Sequence, residues 1–273
     1  MRRGMLDHRS MERTHLDIQR MMHQSDLGSI DELREFLNKN VVGKKVPHQP
    51  ARTALEQTQD LVYDAFDAWG RRQVQLVRKA LQICPNCADA YVILAERCSD
   101  IEKARDLYAH GVAAGERALG KEFFEKEAGR FWGALQARPY MRARFGLAQS
   151  LEELEKLDEA AEHYRELLRL NPNDNQGVRD SLLACLLKMN ADDEAEELLK
   201  KYKDDKLKAI WCYARALITF RQKGNTATAR NYLKKALSII RHAPKYLLDN
   251  EELPELLPRS YSLGSQQEAI LRR

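Results

Sequence analysis

The sequence has little glycine and proline and no long apolar run. Of 273 residues, 13 are glycine and 8 are proline, while 32% are charged. Because glycine and proline are the residues that destabilise helix interiors most, this composition is typical of an all-α protein. No stretch of 18 uncharged apolar residues occurs, so we expect no transmembrane helix.

Sequence motifs of common enzymes are also missing. The seven histidines are scattered along the chain. No HExxH pair occurs, and the glycine patterns GxxxxGKS, GxxxxGKT, GxSxG and GxGxxG are absent. We therefore predict a protein that is not an enzyme and that holds no cofactor.

Cysteine usage argues against a disulfide framework. The five cysteines are an odd number and lie within helical patterns, which favours reduced thiols in a core. Cys84 and Cys87 form a CxxC pair, but Pro85 predicts the end of a helix there, whereas a redox dithiol needs the start of one. Zinc would need two further ligands, and no second pair is present. We predict a structural role for both thiols and no bound metal, with redox sensing or metal binding as the alternative.

The balance of charge is only mildly basic. The net charge is +4 and the isoelectric point is about 8.7, well short of the clustered lysines and arginines that indicate a nucleic-acid-binding surface. The first twenty residues are basic but contain no apolar core, which a secretory signal would need. We therefore predict a cytoplasmic location and do not favour nucleic acid as a partner.

The stretch with the clearest period is 141–174. Apolar residues mark one face of a first helix, then one face of a second, and a proline comes after them: Leu147, Ala148, Leu151, Ala160, Tyr164 and Pro172. The small side chain of Ala160 lets the second helix approach the first closely, and Pro172 cannot continue a helix. This pattern predicts a helix–turn–helix unit of about 34 residues.

The same pattern recurs along the chain. An alanine is followed four residues later by a large apolar residue at Ala104, Ala160, Ala195 and Ala229. The last three alanines are 35 and 34 residues apart, whereas the first two are 56 apart, which corresponds to one repeat plus an insertion of about 22 residues. Such units bury their apolar faces only against neighbours, so we predict a right-handed solenoid of helical hairpins. The spacing resembles the tetratricopeptide (TPR) repeat family over roughly residues 54–242.

The repeats divide the chain into predicted segments. These are an N-terminal helical segment 1–43, an exposed linker 44–53, the solenoid 54–242 and a C-terminal cap 243–273. In the first segment, Ser29 with Glu32 three residues later predicts a helix start. The insertion, at about 118–139, predicts one extra amphipathic helix ended by Pro139. This helix is interpreted either as core or as a lid or docking patch.

A narrower resemblance rests on four stretches. They are ADAYVILAE at 88–96, KKYKDD at 200–205, APKYLLDNEELPELLP at 243–258 and GSQQEAI at 264–270. In this order they resemble the proteins named for suppressor of tumorigenicity seven, and bacterial repeat proteins similar to them. The resemblance implies no catalytic residues. The eukaryotic members look membrane-associated, but this chain lacks their hydrophobic spans, so that location is not carried over.

Alignment on the repeat predicts which side chains face the concave side of the solenoid. These partner-binding candidates are Arg142, Phe145, Gln149, Asp180, Trp211, Arg215 and Arg221. Three arginines with Phe and Trp suit an acidic peptide or a chain terminus that carries an aromatic residue. The alternative is a solvated helix face without a ligand. The Lys and Asn constellation of TPR proteins that bind chaperone carboxyl termini is missing.

The predicted function is a non-enzymatic scaffold that binds a peptide or protein segment in the concave groove. One alternative is a regulatory module for nucleic acid or a signalling peptide, for which binding would fall steeply with salt. Another is an enzyme with an unfamiliar site near Phe131 and Trp132. Self-association into a homo-oligomer through the inserted helix is a further option.

Overall fold

The computed structural model describes residues 8–25, 27–203, 208–248, 251, 252, 254, 258, 262 and 264–271. Every regular element within these residues is helical, which confirms the all-α prediction. The chain forms two compact units. Unit 1 is Met1–Leu154 with Arg169–Pro172, and unit 2 is Glu155–Leu168 with Asn173–Arg273. The division falls inside the predicted solenoid.

Unit 1 is built from successive helices joined by short connections. They are α1 His8–Gln24, α2 Ile30–Asn40, α3 Ala54–Phe66, α4 Gly70–Ile83, α5 Ala88–Glu96, α6 Ile101–Leu119, α7 Lys121–Glu127 and α8 Arg138–Glu153. Helix α3 packs on α4 and α5 packs on α6, so each pair is a helical hairpin. The predicted start of α2 is confirmed, because Ser29 Oγ accepts the Glu32 amide and Glu32 accepts the Gly28 amide.

The first hairpin contains an apolar core where helices α3, α4 and α5 meet. Val62 of α3, Val77 of α4 and Ile93 of α5 are buried together. Burying such side chains stabilises the fold by about 1.5–3 kcal/mol each. The spacing of Ala65, Ala68 and Trp69 predicts that Trp69 lines the first helix of this hairpin, but Trp69 lies in the turn and is 67% exposed. Gly70, which the sequence predicts as the end of that first helix, instead begins α4, and its positive φ of 61° is one that glycine adopts readily at a turn.

Helices α6 and α8 pack closely because glycines occupy their interface. A Cβ atom added at Gly146 would overlap the ring of Tyr108, and one added at Gly115 would lie 2.7 Å from Cβ of Tyr140. Both glycines are buried. The close approach of the two helix backbones therefore depends on the absence of side chains here.

The insertion is not the single helix predicted for 118–139. Helix α7 ends at Glu127, two short 3₁₀ turns come next at Phe131–Gly133 and Leu135–Ala137, and Pro139 stands in the first turn of α8. Proline fits a helix start because the first amides need no intrahelical acceptor. Phe131 is buried against Phe124, with ring centroids 4.9 Å apart. The insertion therefore contributes core.

Unit 2 contains the remaining helices. They are α9 Leu157–Leu170, whose last two residues group with unit 1, α10 Val178–Lys188, α11 Asp192–Lys201, α12 Ala209–Lys223, α13 Ala227–Ile239, α14 Ala243–Leu247 and α15 Gln266–Leu271. Helix α10 packs on α11 and α12 packs on α13. Asn190 and Gly224, both with positive φ, stand at the two turns, which are one repeat apart as the sequence predicts.

The two C-terminal helices cover only part of the last hairpin. Tyr246 of α14 and Ile270 of α15 are buried with Ala209 and Ile240 in one cluster. Glu268, which is fully buried, accepts the Ala209 amide at 2.9 Å and so satisfies an otherwise unpaired donor at the start of α12. The rest of the α12–α13 surface keeps large apolar side chains in solvent.

Candidate functional site

Arg142, the first predicted site residue, lies at the centre of a charged cluster in unit 1. From helix α8 it donates two hydrogen bonds to Asp89 of α5, at 2.6 and 2.8 Å, and two to Glu12 of α1, at 2.9 and 3.0 Å. Arg138, one turn earlier, also donates to Glu12 at 3.2 Å. The guanidinium of Arg142 is thus fully engaged by two carboxylates of its own chain.

Burial makes this cluster energetically demanding. Asp89 is 0% exposed and Glu12 is 3% exposed. Desolvation alone would lower the pKa of Arg142, but the charges and hydrogen bonds of Asp89 and Glu12 outweigh it and raise that pKa further above its usual range. Arg142 therefore stays charged, and loss of one partner would leave buried charge uncompensated.

The other two predicted residues of unit 1 are also on helix α8. Phe145 is half-buried and Gln149 is exposed. They lie three and seven residues after Arg142, so all three share one side of the helix. Gln149 is the accessible member of this set.

In unit 2, Asp180 and Trp211 contact each other. The Trp211 indole donates to Asp180 at 2.7 Å, and Lys208 Nζ lies 3.4 Å from both Asp180 oxygens. Asp180 and Trp211 are both buried. Their hydrogen bond joins helices α10 and α12, so these two side chains position α12 and present little surface of their own.

Arg215 and Arg221 both belong to helix α12. The Arg215 guanidinium lies 5.8 Å from the centroid of the Tyr232 ring on α13, which is a cation–π distance. Arg221 donates to the Leu187 carbonyl at 3.1 Å and to Asp192 at 2.9 Å. The concave groove assigned to the seven residues stays a prediction.

Several large apolar side chains of unit 2 are exposed on helices α12, α13 and α14. Phe220 is 53% exposed and Leu233 is 45% exposed, and Leu217 and Leu247 are exposed as well. They line a cleft of about 610 Å³, whose other walls include Leu187 of α10 and Tyr213 of α12. A cleft of this size and character is typical of binding sites.

The charged side chains that line this cleft are both basic. The chain from Ala209 to Arg241 contains no Asp or Glu. Its basic residues are Arg215, Arg221, Lys223, Arg230, Lys234, Lys235 and Arg241. Arg230 of α13 and Lys188 of α10 line the cleft itself. An apolar cleft with a basic rim suits a ligand that is apolar on one side and acidic on the other.

The cleft is not predicted from the sequence, because Leu217 and Phe220 continue an apolar helix face whose spacing is typical of a buried core. The missing signal was the absence of acidic residues from 209 to 241, which periodicity does not register. Glu12 and Asp89 were missed as partners of Arg142 because they are 130 and 53 residues away in sequence.

The CxxC pair also differs from its prediction in one respect. Cys87 is the N-cap residue of α5, so it does stand at a helix start. Burial, helped by the charge of Asp89, nevertheless raises the pKa of the Cys87 thiol to about 12, which suppresses the reactive thiolate. Nowhere in the described residues do three or more His, Cys, Asp or Glu side chains come together as a metal site would need.

The profile of one known protein family matches most of the chain. The profile of the ST7 protein family matches residues 56–258, which include α5 and α8 but not α1. Within the part of the chain that the structure describes, none of the helices combines the length and apolar character needed to cross a membrane.

Individual relatives are distant and longer. Protein ST7 homolog of Drosophila melanogaster is 27% identical over 225 residues, which cover 72% of this chain and 41% of the homolog. Suppressor of tumorigenicity 7 protein of Mus musculus is 27% identical over 207 residues, which cover 67% and 35%. The chain thus spans less than half the length of these relatives. A solved structure, YrrB, described as a TPR protein with an unusual peptide-binding site, is 17% identical with a TM-score of 0.48, over 75% of this chain and 90% of that one.

Proposed function

This chain belongs to the ST7 protein family, and we propose that it is a non-enzymatic interaction protein whose unit 2 binds an amphipathic helix of a partner protein. Family membership confirms the resemblance drawn from the four sequence stretches. The relatives are more than twice as long as the aligned region, so no activity of theirs is assigned to this chain.

The observation that carries the proposal is the open apolar cleft of unit 2. Phe220 and Leu217 of α12 and Leu233 of α13 remain in solvent although they belong to a well-packed helix pair. Complete burial of such a side chain is worth about 1.5–3 kcal/mol, so a ligand that covers all three gains substantially even after the cost of association. A helix fits because its side chains at i, i+4 and i+7 form one apolar stripe.

The charge of the rim supports an acidic polar face on the partner helix. Arg230 and Lys188 line the cleft, and neither acidic side chain type occurs from 209 to 241. Rim charges steer association and select partners more than they add affinity. Of the predicted site residues, Arg215 adds positive charge to α12, Arg221 is paired with Asp192, and Asp180 and Trp211 hold α12 in place.

A defined peptide tests the proposal. A labelled 18-residue helix with leucine at i, i+4 and i+7 positions and glutamate on its other face is titrated with the full chain in a fluorescence anisotropy experiment. We expect binding that weakens at least tenfold in Phe220→Ser and in Leu217→Ser. The matched control is Trp69→Ser, which removes an exposed aromatic side chain from unit 1 and should leave binding unchanged.

Two outcomes would contradict the proposal. Equal binding by wild type and both cleft variants would show that the peptide does not use this surface. Tighter binding of a single-stranded oligonucleotide than of the peptide, with a steep loss between 50 and 200 mM salt, would favour the nucleic-acid alternative. The cytoplasmic location and self-association stay predictions that fractionation and light scattering test.

A further inference from the structure

Helix α1 occupies a face of unit 1 formed by α3, α5 and α8, here called the inner face. It reaches α3 through Arg13, which donates to Asp64 at 2.8 Å. It reaches α5 through Arg9, which donates to Glu96 at 3.4 Å, and α8 through Glu12. Because α3 and α5 are the first helices of their hairpins, a single helix laid across them contacts successive repeats at once.

The contact surface of α1 is charged where a stable core contact would be apolar. Among the side chains of α1 that are described, the buried ones are Glu12, Asp17 and Arg20, while Leu16, Ile18 and Met21 are only half-buried. Charged contacts carry a desolvation cost that cancels much of their attraction. The helix is therefore positioned specifically but held without a large apolar contribution.

The fit of α1 is also incomplete. Arg20 is 1% exposed and pairs with Glu56 and Asp60, at 3.1 and 3.0 Å, yet its Nη2 atom is buried without a hydrogen-bond partner. An unsatisfied buried donor destabilises the arrangement that buries it. A cavity of about 340 Å³ remains beside it, between Leu16 of α1 and Tyr63 of α3. This space is large enough for several methyl-sized groups that α1 does not supply.

We propose that the inner face is a second docking site, for a partner helix that places a carboxylate on Arg142 and a larger apolar side chain in the cavity, and that α1 occupies it here as an internal competitor. Arg142 and Arg138 supply the charge that selects a carboxylate. The inner face lies mostly within the residues that the family profile matches, whereas α1 precedes them. The site is independent of the cleft in unit 2.

The test uses the full chain and a labelled peptide of residues 8–24 carrying Leu16→Phe. In the wild type, the tethered α1 is present at an effective concentration on the order of millimolar and should exclude micromolar peptide. In Glu12→Arg, the introduced cation faces Arg138 and Arg142, so α1 is repelled and the peptide should bind at least tenfold more tightly. The native-sequence peptide should bind several times more weakly than its Leu16→Phe form, because it leaves the cavity unfilled.

Three controls keep the result decisive. A peptide with Glu12→Arg tests the charge requirement without any change to the protein, and it should not bind. In Arg13→Glu, the new carboxylate is repelled by Asp64, which weakens the docking of α1 and leaves the contacts of Arg142 in place. This variant replaces Glu12→Arg in the test if circular dichroism shows that Glu12→Arg is unfolded. Phe220→Ser should have no effect, which separates this site from the cleft.

Several results would overturn the inference. The first is that the folded Glu12→Arg and Arg13→Glu chains bind the peptide no more tightly than the wild type does. The second is that the Glu12→Arg peptide binds as well as the peptide that keeps Glu12. The third is that the Leu16→Phe peptide binds more weakly than the native-sequence peptide. A wild-type dimer that dissociates when the α1 peptide is added would instead assign the inner face to α1 of a second copy.

Discussion

The inner face of unit 1 and the cleft of unit 2 differ in how the surface of the helical hairpins is covered. In unit 1, a helix from the same chain covers the surface through buried ion pairs centred on Arg142. In unit 2, α14 and α15 cover the start of α12, and Phe220 and Leu233 remain open to solvent. The inner face is covered by α1, which leaves a cavity beside it. The cleft of unit 2 is lined by apolar side chains that remain exposed to solvent.

The two surfaces show what each kind of contact provides. Buried charge specifies a single arrangement, since any misplacement leaves a charge uncompensated, but its net contribution to stability is small. Exposed apolar side chains contribute affinity to almost any complementary surface and little discrimination. We therefore expect unit 1 to be sensitive to the identity of single charged residues, and the cleft of unit 2 to be sensitive to apolar area.

The largest effect should come from removing the centre of the charged cluster. Arg142→Ala leaves Asp89 buried without its cation and leaves Glu12 with Arg138 alone, which should destabilise unit 1 by about 3–5 kcal/mol. Urea unfolding followed by circular dichroism measures this. The matched control in unit 2 is Arg221→Ala, whose ion pair with Asp192 is partly exposed and should cost no more than about 1 kcal/mol. Similar costs for both variants would remove the contrast between the two surfaces.

The next effect concerns the helix packing that supports the inner face. Gly146→Ala introduces a methyl group into the space of the Tyr108 ring, and the resulting shift of α6 against α8 should cost about 1–3 kcal/mol. Gly133→Ala is the control within the same unit, because a Cβ there meets nothing within 4 Å. A melting temperature for Gly146→Ala that equals that of Gly133→Ala would show that the two helices are not held closely.

A smaller effect is expected for the rim of the inner face. Arg13 and Asp64 form a partly exposed ion pair between α1 and α3, so Arg13→Ala should weaken α1 docking by about 0.2–1 kcal/mol. Hydrogen exchange of the α1 amides should rise by less than about fivefold. Arg165→Ala, which removes a similarly exposed pair with Glu194 in unit 2, should leave α1 exchange unchanged. An increase of a hundredfold would show that α1 depends on this one pair.

The fold could be predicted from local sequence, whereas the candidate sites could not. The helix start at Ser29 and the turns near Asn190 and Gly224 are set by neighbouring residues, because caps and turns are local. The environment of Arg142 depends on side chains brought in from 53 and 130 residues away. Such contacts leave no periodic trace, so an arginine in an internal ion pair and one free to bind a ligand look alike in sequence.

The exposure of Phe220 was hidden for a different reason. Its spacing predicts the apolar face of a helix, and that is correct, but whether the face is covered depends on how the later helices pack. Helices α14 and α15 pack on Ala209 and Ile240 and stop short of Phe220 and Leu233. A pattern can therefore predict which face is apolar without predicting where its cover ends.

The smallest effect on stability should come from Phe220→Ser, although its effect on binding should be large. Because about half of the side chain is already in solvent, its removal should change the free energy of unfolding by no more than about 0.5 kcal/mol, as for other surface positions. Fluorescence of a dye that binds exposed apolar surface should fall, because the cleft loses its most exposed aromatic ring. Trp69→Ser should reduce dye fluorescence less, since that ring lies in a turn of unit 1 and does not line the cleft. If Phe220→Ser instead destabilised the protein by more than about 2 kcal/mol, a cost typical of core positions, Phe220 would be part of a core and the cleft of unit 2 would not be an open surface.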